Sequence, residues 1–171
     1  MSRQESGQQR YGLKHSLRKL IHGLESVVET VGAYMMAIMV GIVIYQVFGR
    51  YVLHVTPAWT EEVALLFMTA YGFLSIATGF GHQSHLSVGL LYDRFPAPAR
   101  RVLDYLNDIT VIFFGIFLFI EGYKFTVLTW SSILPATGLP NGLQYLIVPV
   151  TGILIVIYGI YWLLIGKEEG Q

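Results

Sequence analysis

Apolar residues fill four stretches of this chain, Val31 to Gly49, Val63 to Phe80, Ile109 to Ile120 and Leu146 to Ile165, and no ionised residue stands at the middle of any of them. A hydrocarbon core of about 30 Å takes roughly 20 apolar residues as helix. With their flanks, the four stretches predict an all-α integral membrane protein with spans at about residues 27–53, 57–80, 101–127 and 144–165. A different pattern precedes the first span. Leu13, Leu17, Leu20, Ile21, Leu24, Val28 and Val31 recur at helical spacing, with Lys14, His15, Arg18, Lys19, His22, Glu25 and Glu29 between them. A leucine face opposite a basic polar face predicts an amphipathic helix lying in the membrane interface. The competing reading is a plain helical extension of the first span. The domain expectation is therefore a tail and interfacial helix over 1–26, a four-helix membrane domain over 27–166, and a short tail over 167–171.

Punctuation residues mark the span ends. Thr56-Pro57 suits a helix start, and Glu61 and Glu62 follow where the helix dipole favours carboxylates. Gly79-Phe80-Gly81 closes the second span. Pro96 and Pro98 interrupt the connection into the third, and Pro149 stands in the first turns of the fourth. Ala33, Ala37 and Gly41 fall four apart on the first span, a spacing that lets helices approach closely. Uncharged residues of the third span run only from Ile109 to Ile120, too short to cross. Asp108 and Glu121 are thus expected near the hydrocarbon boundaries, with Lys124 able to pair with Glu121 on one face.

Charge orients the chain. Net charge is zero, but Arg3, Arg10, Lys14, Arg18, Lys19, Arg94, Arg100, Arg101 and Lys167 fall on one side of the predicted membrane. Only Arg50 and Lys124 fall on the other. Positive residues stay cytoplasmic, so both termini are expected inside. Arg18, Lys19, Arg100, Arg101, Trp130 and Trp162 are the expected lipid-interface residues. Hydrophobic residues at 54% against 13% charged argue against a soluble domain. The absence of cysteine excludes disulfides, thiolate metal sites and thiol nucleophiles.

The densest polar cluster is Arg50, Tyr51, Trp59, Glu61 and Glu62, where the first span ends and the second begins. Its readings are an Arg50–carboxylate pair pinning the hairpin, or a partner-docking surface. Acid–base catalysis lacks a pocket and a second catalytic group. The histidines His15, His22, His54, His82 and His85 lie outside the spans, whereas haem in a membrane bundle needs imidazoles on facing helices. His82 and His85 lack further zinc ligands nearby. Asp104 and Asp108, one helical turn apart, could bind a cation or contact a basic partner, but carboxylates early in a helix more often complement its dipole. No catalytic residue, cofactor, metal site or nucleic-acid-binding pattern is expected.

Arg50-Tyr51 followed by Trp59-Thr60-Glu61-Glu62 resembles a signature of the small membrane subunit of TRAP (tripartite ATP-independent periplasmic) transporters. His85-Leu86-Ser87-Val88 with Leu90-Leu91, then Pro96 and Arg100-Arg101, then Leu139-Pro140 and Pro149 resemble later family segments in the same order. The family usually has Asp where this chain has Gly89. The resemblance implies a non-enzymatic scaffold in the bacterial inner membrane. It implies binding to a large membrane subunit that holds the solute and sodium sites, transient contact with a periplasmic substrate-binding protein, and contact with phospholipid. The transported solutes would be organic acids. Arg50, Tyr51, Trp59, Glu61, Glu62, His85, Asp108 and Glu121 are then the candidate structural or partner-contact residues. The rivals are a stand-alone homodimeric proton-coupled exporter, which needs a membrane-embedded acid, and a haem-bearing membrane anchor.

Overall fold

The computed structural model describes residues 2–81 and 97–165, with side chains from Lys19 onward except at 97–101, 103, 104, 164 and 165. Its helices are α1 (Ser2–Tyr51), α2 (Trp59–Gly81), α3 (Ala97–Thr129), α4 (Gly142–Tyr145) and α5 (Ile147–Ile165). Among the described residues, four segments are long and apolar enough to cross a membrane: Lys19–Tyr51, Trp59–Gly81, Tyr105–Thr129 and Gly142–Leu163.

Helix α1 runs 50 residues without a break, or about 75 Å at 1.5 Å per residue. The amphipathic stretch is therefore continuous with the first span and is not a separate interfacial helix. No glycine–proline punctuation separates the two, so the backbone ladder propagates through. One stripe of α1 faces α2: Ile21, Glu25, Val28, Gly32, Met35, Met39, Ile42, Gln46 and Gly49, alternating steps of four and three, all buried or half-buried. That 3.5-residue period is the seam of a left-handed helix pair. It also takes Glu25 off the polar face expected from sequence and buries it.

At its far end α1 turns sharply. His54 adopts a left-handed φ of 51°, and the Val55 N–H returns to the Gly49 carbonyl at 3.0 Å. A Cβ on Gly49 would meet Val55 O at 2.8 Å, so the return needs glycine there. Helix α2 begins at Trp59, two residues later than Thr56-Pro57 suggested. Thr60, fully buried, donates both its N–H (3.1 Å) and its hydroxyl (2.7 Å) to the Pro57 carbonyl.

The spans form a row in the order α1, α2, α5, α3: α1 packs chiefly on α2, α2 also on α5, and α5 on α3. The α3–α5 contact is made through glycine. Gly115 and Gly122 stand seven apart on α3, Gly152 and Gly159 seven apart on α5. A Cβ at Gly152 would lie 2.6 Å from Phe119 N and 2.7 Å from Gly115 O. Backbones this close gain dispersion contact that lipid cannot match, which is what drives helix association where water is absent. Proline explains the break between α4 and α5. Pro149 has no N–H to offer the Tyr145 carbonyl, and the ladder restarts at Ile147. Several threonine hydroxyls in the spans bond back to their own helices, as Thr126 does to Gly122 O at 2.7 Å and Thr110 to Leu106 O at 2.7 Å, whereas the buried Thr151 hydroxyl finds no partner among the described residues. Each such bond removes a polar group that hydrocarbon would leave unsatisfied.

Candidate functional site

At the end of the row where α1 stops and α2 starts, the Glu62 carboxylate crosses to the loop that joins α3 to α4. Its Oε1 accepts the Ala136 N–H at 2.9 Å; its Oε2 accepts the Thr137 N–H at 2.8 Å and the Thr137 hydroxyl at 2.7 Å. The loop is itself shaped by backbone bonds, Leu134 N–H to Leu139 O at 2.8 Å and Asn141 N–H to Ser132 O at 2.7 Å, with Gly138 at φ +70°. Glu62 thus fixes the tip of a small turn 74 and 75 residues away in the chain. Such bonds to an ionised acceptor are among the stronger kind. A second polar tie lies two turns further along α2, where Gln144 Nε2 donates to Thr69 Oγ1 at 3.3 Å.

The expected Arg50–carboxylate pair does not form. Among the described residues Arg50 makes no ion pair, and it is exposed, as are Tyr51 and Glu61. The physical reason is competition: two backbone N–H groups and a hydroxyl converge on Glu62 from the loop. Trp59 stacks on Tyr45 of α1 with ring centroids 6.2 Å apart. This joins the two helices at the depth the tryptophan marks. Glu121 and Lys124 pair at 2.7 Å on the exposed side of α3. Asp108 is half-buried near the start of the third span, and Trp130 is exposed after its end. His85 and the side chains of Arg18, Arg100, Arg101 and Asp104 lie outside the described residues.

The other end of the row holds a cluster that the sequence did not signal. Glu25 is 6% exposed. Its Oε2 is 3.0 Å from His22 Nδ1. A Cβ at Gly81 would lie 3.1 Å from Glu25 Oε1 and 3.5 Å from the ring of Tyr158, so the absence of a side chain there lets α1, α2 and α5 meet. Trp162 donates its indole N–H to the Gly81 carbonyl at 3.1 Å. The Tyr158 ring is fully buried, and its hydroxyl has no hydrogen-bond partner. Both polar clusters therefore sit at span ends, and each ties elements distant in sequence. Among the described residues no group of three or more His, Cys, Asp or Glu is placed to hold a metal ion.

Residues 39–165 match the family described as tripartite ATP-independent periplasmic transporters, DctQ component. A TRAP transporter small permease protein of Haemophilus influenzae is 27% identical over 81% of this chain and 86% of its own length. The ectoine TRAP transporter small permease protein TeaB of Halomonas elongata is 27% identical over 84% of this chain and 74% of its own. The sialic acid TRAP transporter small permease protein SiaQ of Vibrio cholerae is 24% identical over 90% of each. With four membrane-crossing helices and a family match over most of its length, the chain belongs to the DctQ family: it is a small membrane subunit of a TRAP transporter, a multi-pass protein of the inner membrane.

Proposed function

We propose that this chain is the non-catalytic scaffold of a sodium-coupled TRAP transporter for organic acids, that it anchors the large transport subunit in the bilayer, and that a periplasmic substrate-binding protein visits the complex. The observation that carries this reading is the apolar middle of all four described spans. Among the described residues no ionised side chain stands at the middle of a span, and solute routes through membranes are built from polar groups near the midplane. Here the described acids sit toward span ends or are paired: Glu25 with His22, Glu62 with the loop, Glu121 with Lys124. Two relatives named for different solutes, ectoine and sialic acid, are similarly distant from this chain. That fits solute selection by other subunits.

In this reading both termini are cytoplasmic, because nine of the eleven Lys and Arg residues fall on the terminal side. The basic face of residues 13–26 continues α1 on the cytoplasmic side, where Arg100 and Arg101 add positive charge facing anionic headgroups. The Glu62 clamp then faces outward, with unpaired Arg50 and exposed Glu61 beside it as contacts for the partners. Trp59, Trp130 and Trp162 set depth at the two interfaces.

The test is uptake in liposomes. The large subunit, this chain and the binding protein together should give sodium-driven accumulation of an organic acid. Omission of this chain should abolish it, and this chain alone should pass no solute. Flux through this chain alone would refute the scaffold reading and favour the exporter.

A further inference from the structure

A groove of about 220 Å³ opens on one side of the α1–α2 seam. Its floor is Gly32, Ala33 and Leu74, and Glu29 and Thr78 stand at its outer, polar end. The groove's depth follows from helix rise. Counting from Tyr51 and Trp59, Ala33 lies about 27 Å along α1, Ser75 about 24 Å along α2, and Glu29 about 33 Å along α1. Against a hydrocarbon thickness of about 30 Å, the apolar floor falls inside the acyl region and Glu29 at its boundary with the headgroups. We infer that this groove is a binding site for one phospholipid with a primary-amine headgroup, phosphatidylethanolamine, its acyl chain on the Gly32–Ala33–Leu74 floor and its ammonium on Glu29.

The polarity gradient is that of a lipid: apolar toward the midplane, polar at the headgroup. Charge selects among lipids. The exposed Glu29 carboxylate attracts an ammonium and repels a net-anionic headgroup, and Lys19 is ten residues back, about 15 Å further out. An ammonium carries N–H donors that a carboxylate can accept, whereas a quaternary choline has none. The absent side chain at Gly32 deepens the floor beside the Tyr71 ring, which would lie 3.6 Å from a Cβ there.

Native mass spectrometry tests this on the full chain in nanodiscs containing equal phosphatidylethanolamine and phosphatidylcholine with the same palmitoyl-oleoyl chains. The wild-type chain should retain one phosphatidylethanolamine at least fivefold over phosphatidylcholine. Glu29→Gln should keep a lipid but bring the preference within twofold. Ala33→Phe should fill the floor and remove retention, with circular dichroism checking that its helices persist. Equal retention of the two lipids by wild type, or an undiminished preference in Glu29→Gln, would overturn the assignment. So would a photo-crosslinker at Ser75 that captures the large subunit instead of lipid, since a protein helix would then fill the groove.

Discussion

The α3–α5 pair and the α1–α2 pair both run through the membrane, but they are held by different means. In the first, four glycines bring backbone against backbone, and a Cβ at Gly152 has nowhere to go. In the second, a heptad stripe of side chains meets α2 along one edge. Gly32 is the glycine of that stripe nearest a neighbour's side chain, at an ordinary van der Waals distance from Tyr71. Only 11% of the apolar window of α1 is buried, against 44% of the fourth span. Packing is the currency of helix association in lipid. The α3–α5 pair therefore carries the fold of the subunit, while α1 presents most of its circumference to something else.

The largest predicted effect breaks the first pair. Gly152→Leu forces a side chain into Phe119 and Gly115 backbone, and overpacking of this kind costs about 1–3 kcal/mol or more. A fall in the thermal unfolding midpoint of the purified chain, with loss of yield, is expected. Gly41→Leu makes the same chemical change on α1, where nothing lies within 4 Å of the added Cβ. It should leave the stability of the isolated chain within about 0.5 kcal/mol and instead weaken co-purification with the large subunit. Equal destabilisation by both changes would erase the distinction between the pairs.

Smaller effects sharpen it. Glu62→Gln keeps the size of the clamp but leaves one carbonyl oxygen to serve Ala136 and Thr137, so limited proteolysis of the 131–141 loop should become several-fold faster while the helices stay intact. Thr137→Val, which removes one of the three bonds, should have a smaller effect of the same kind. The smallest belongs to Tyr158→Phe. Removing a buried hydroxyl that has no partner should be neutral or stabilise by up to about 1 kcal/mol, read from the same unfolding midpoints. A clear loss of stability would mean that this hydroxyl is bonded after all.

The four spans were legible in sequence because hydropathy alone specifies them. The expected second and fourth spans, 57–80 and 144–165, lie within about two residues of the observed segments. Helix contacts were harder to read. Ala33, Ala37 and Gly41 drew attention for their spacing, yet all three are exposed. The closest packing is at glycines seven apart, 115 with 122 and 152 with 159. Those matched heptads on two spans are themselves a readable signal, distinct from small residues four apart. Arg50 and Glu62 illustrate a different limit. Proximity along a hairpin favoured a pair between them, but the partner of Glu62 is set by tertiary folding of a loop far along the chain. Burial of Glu25 was hidden for a similar reason: on α1 alone it belongs to the charged face, and only the 3.5-residue stripe towards α2 places it inside.

The claim at the centre of this account is that α1 displays its outward side to the large subunit. Ile44, 64% exposed, shares that side with Ala37 and Gly41. A photo-crosslinking residue at position 44, illuminated in membranes that also contain the large subunit, should give one adduct whose mass is the sum of the two subunits. Lipid adducts alone, with no protein adduct, would contradict the account.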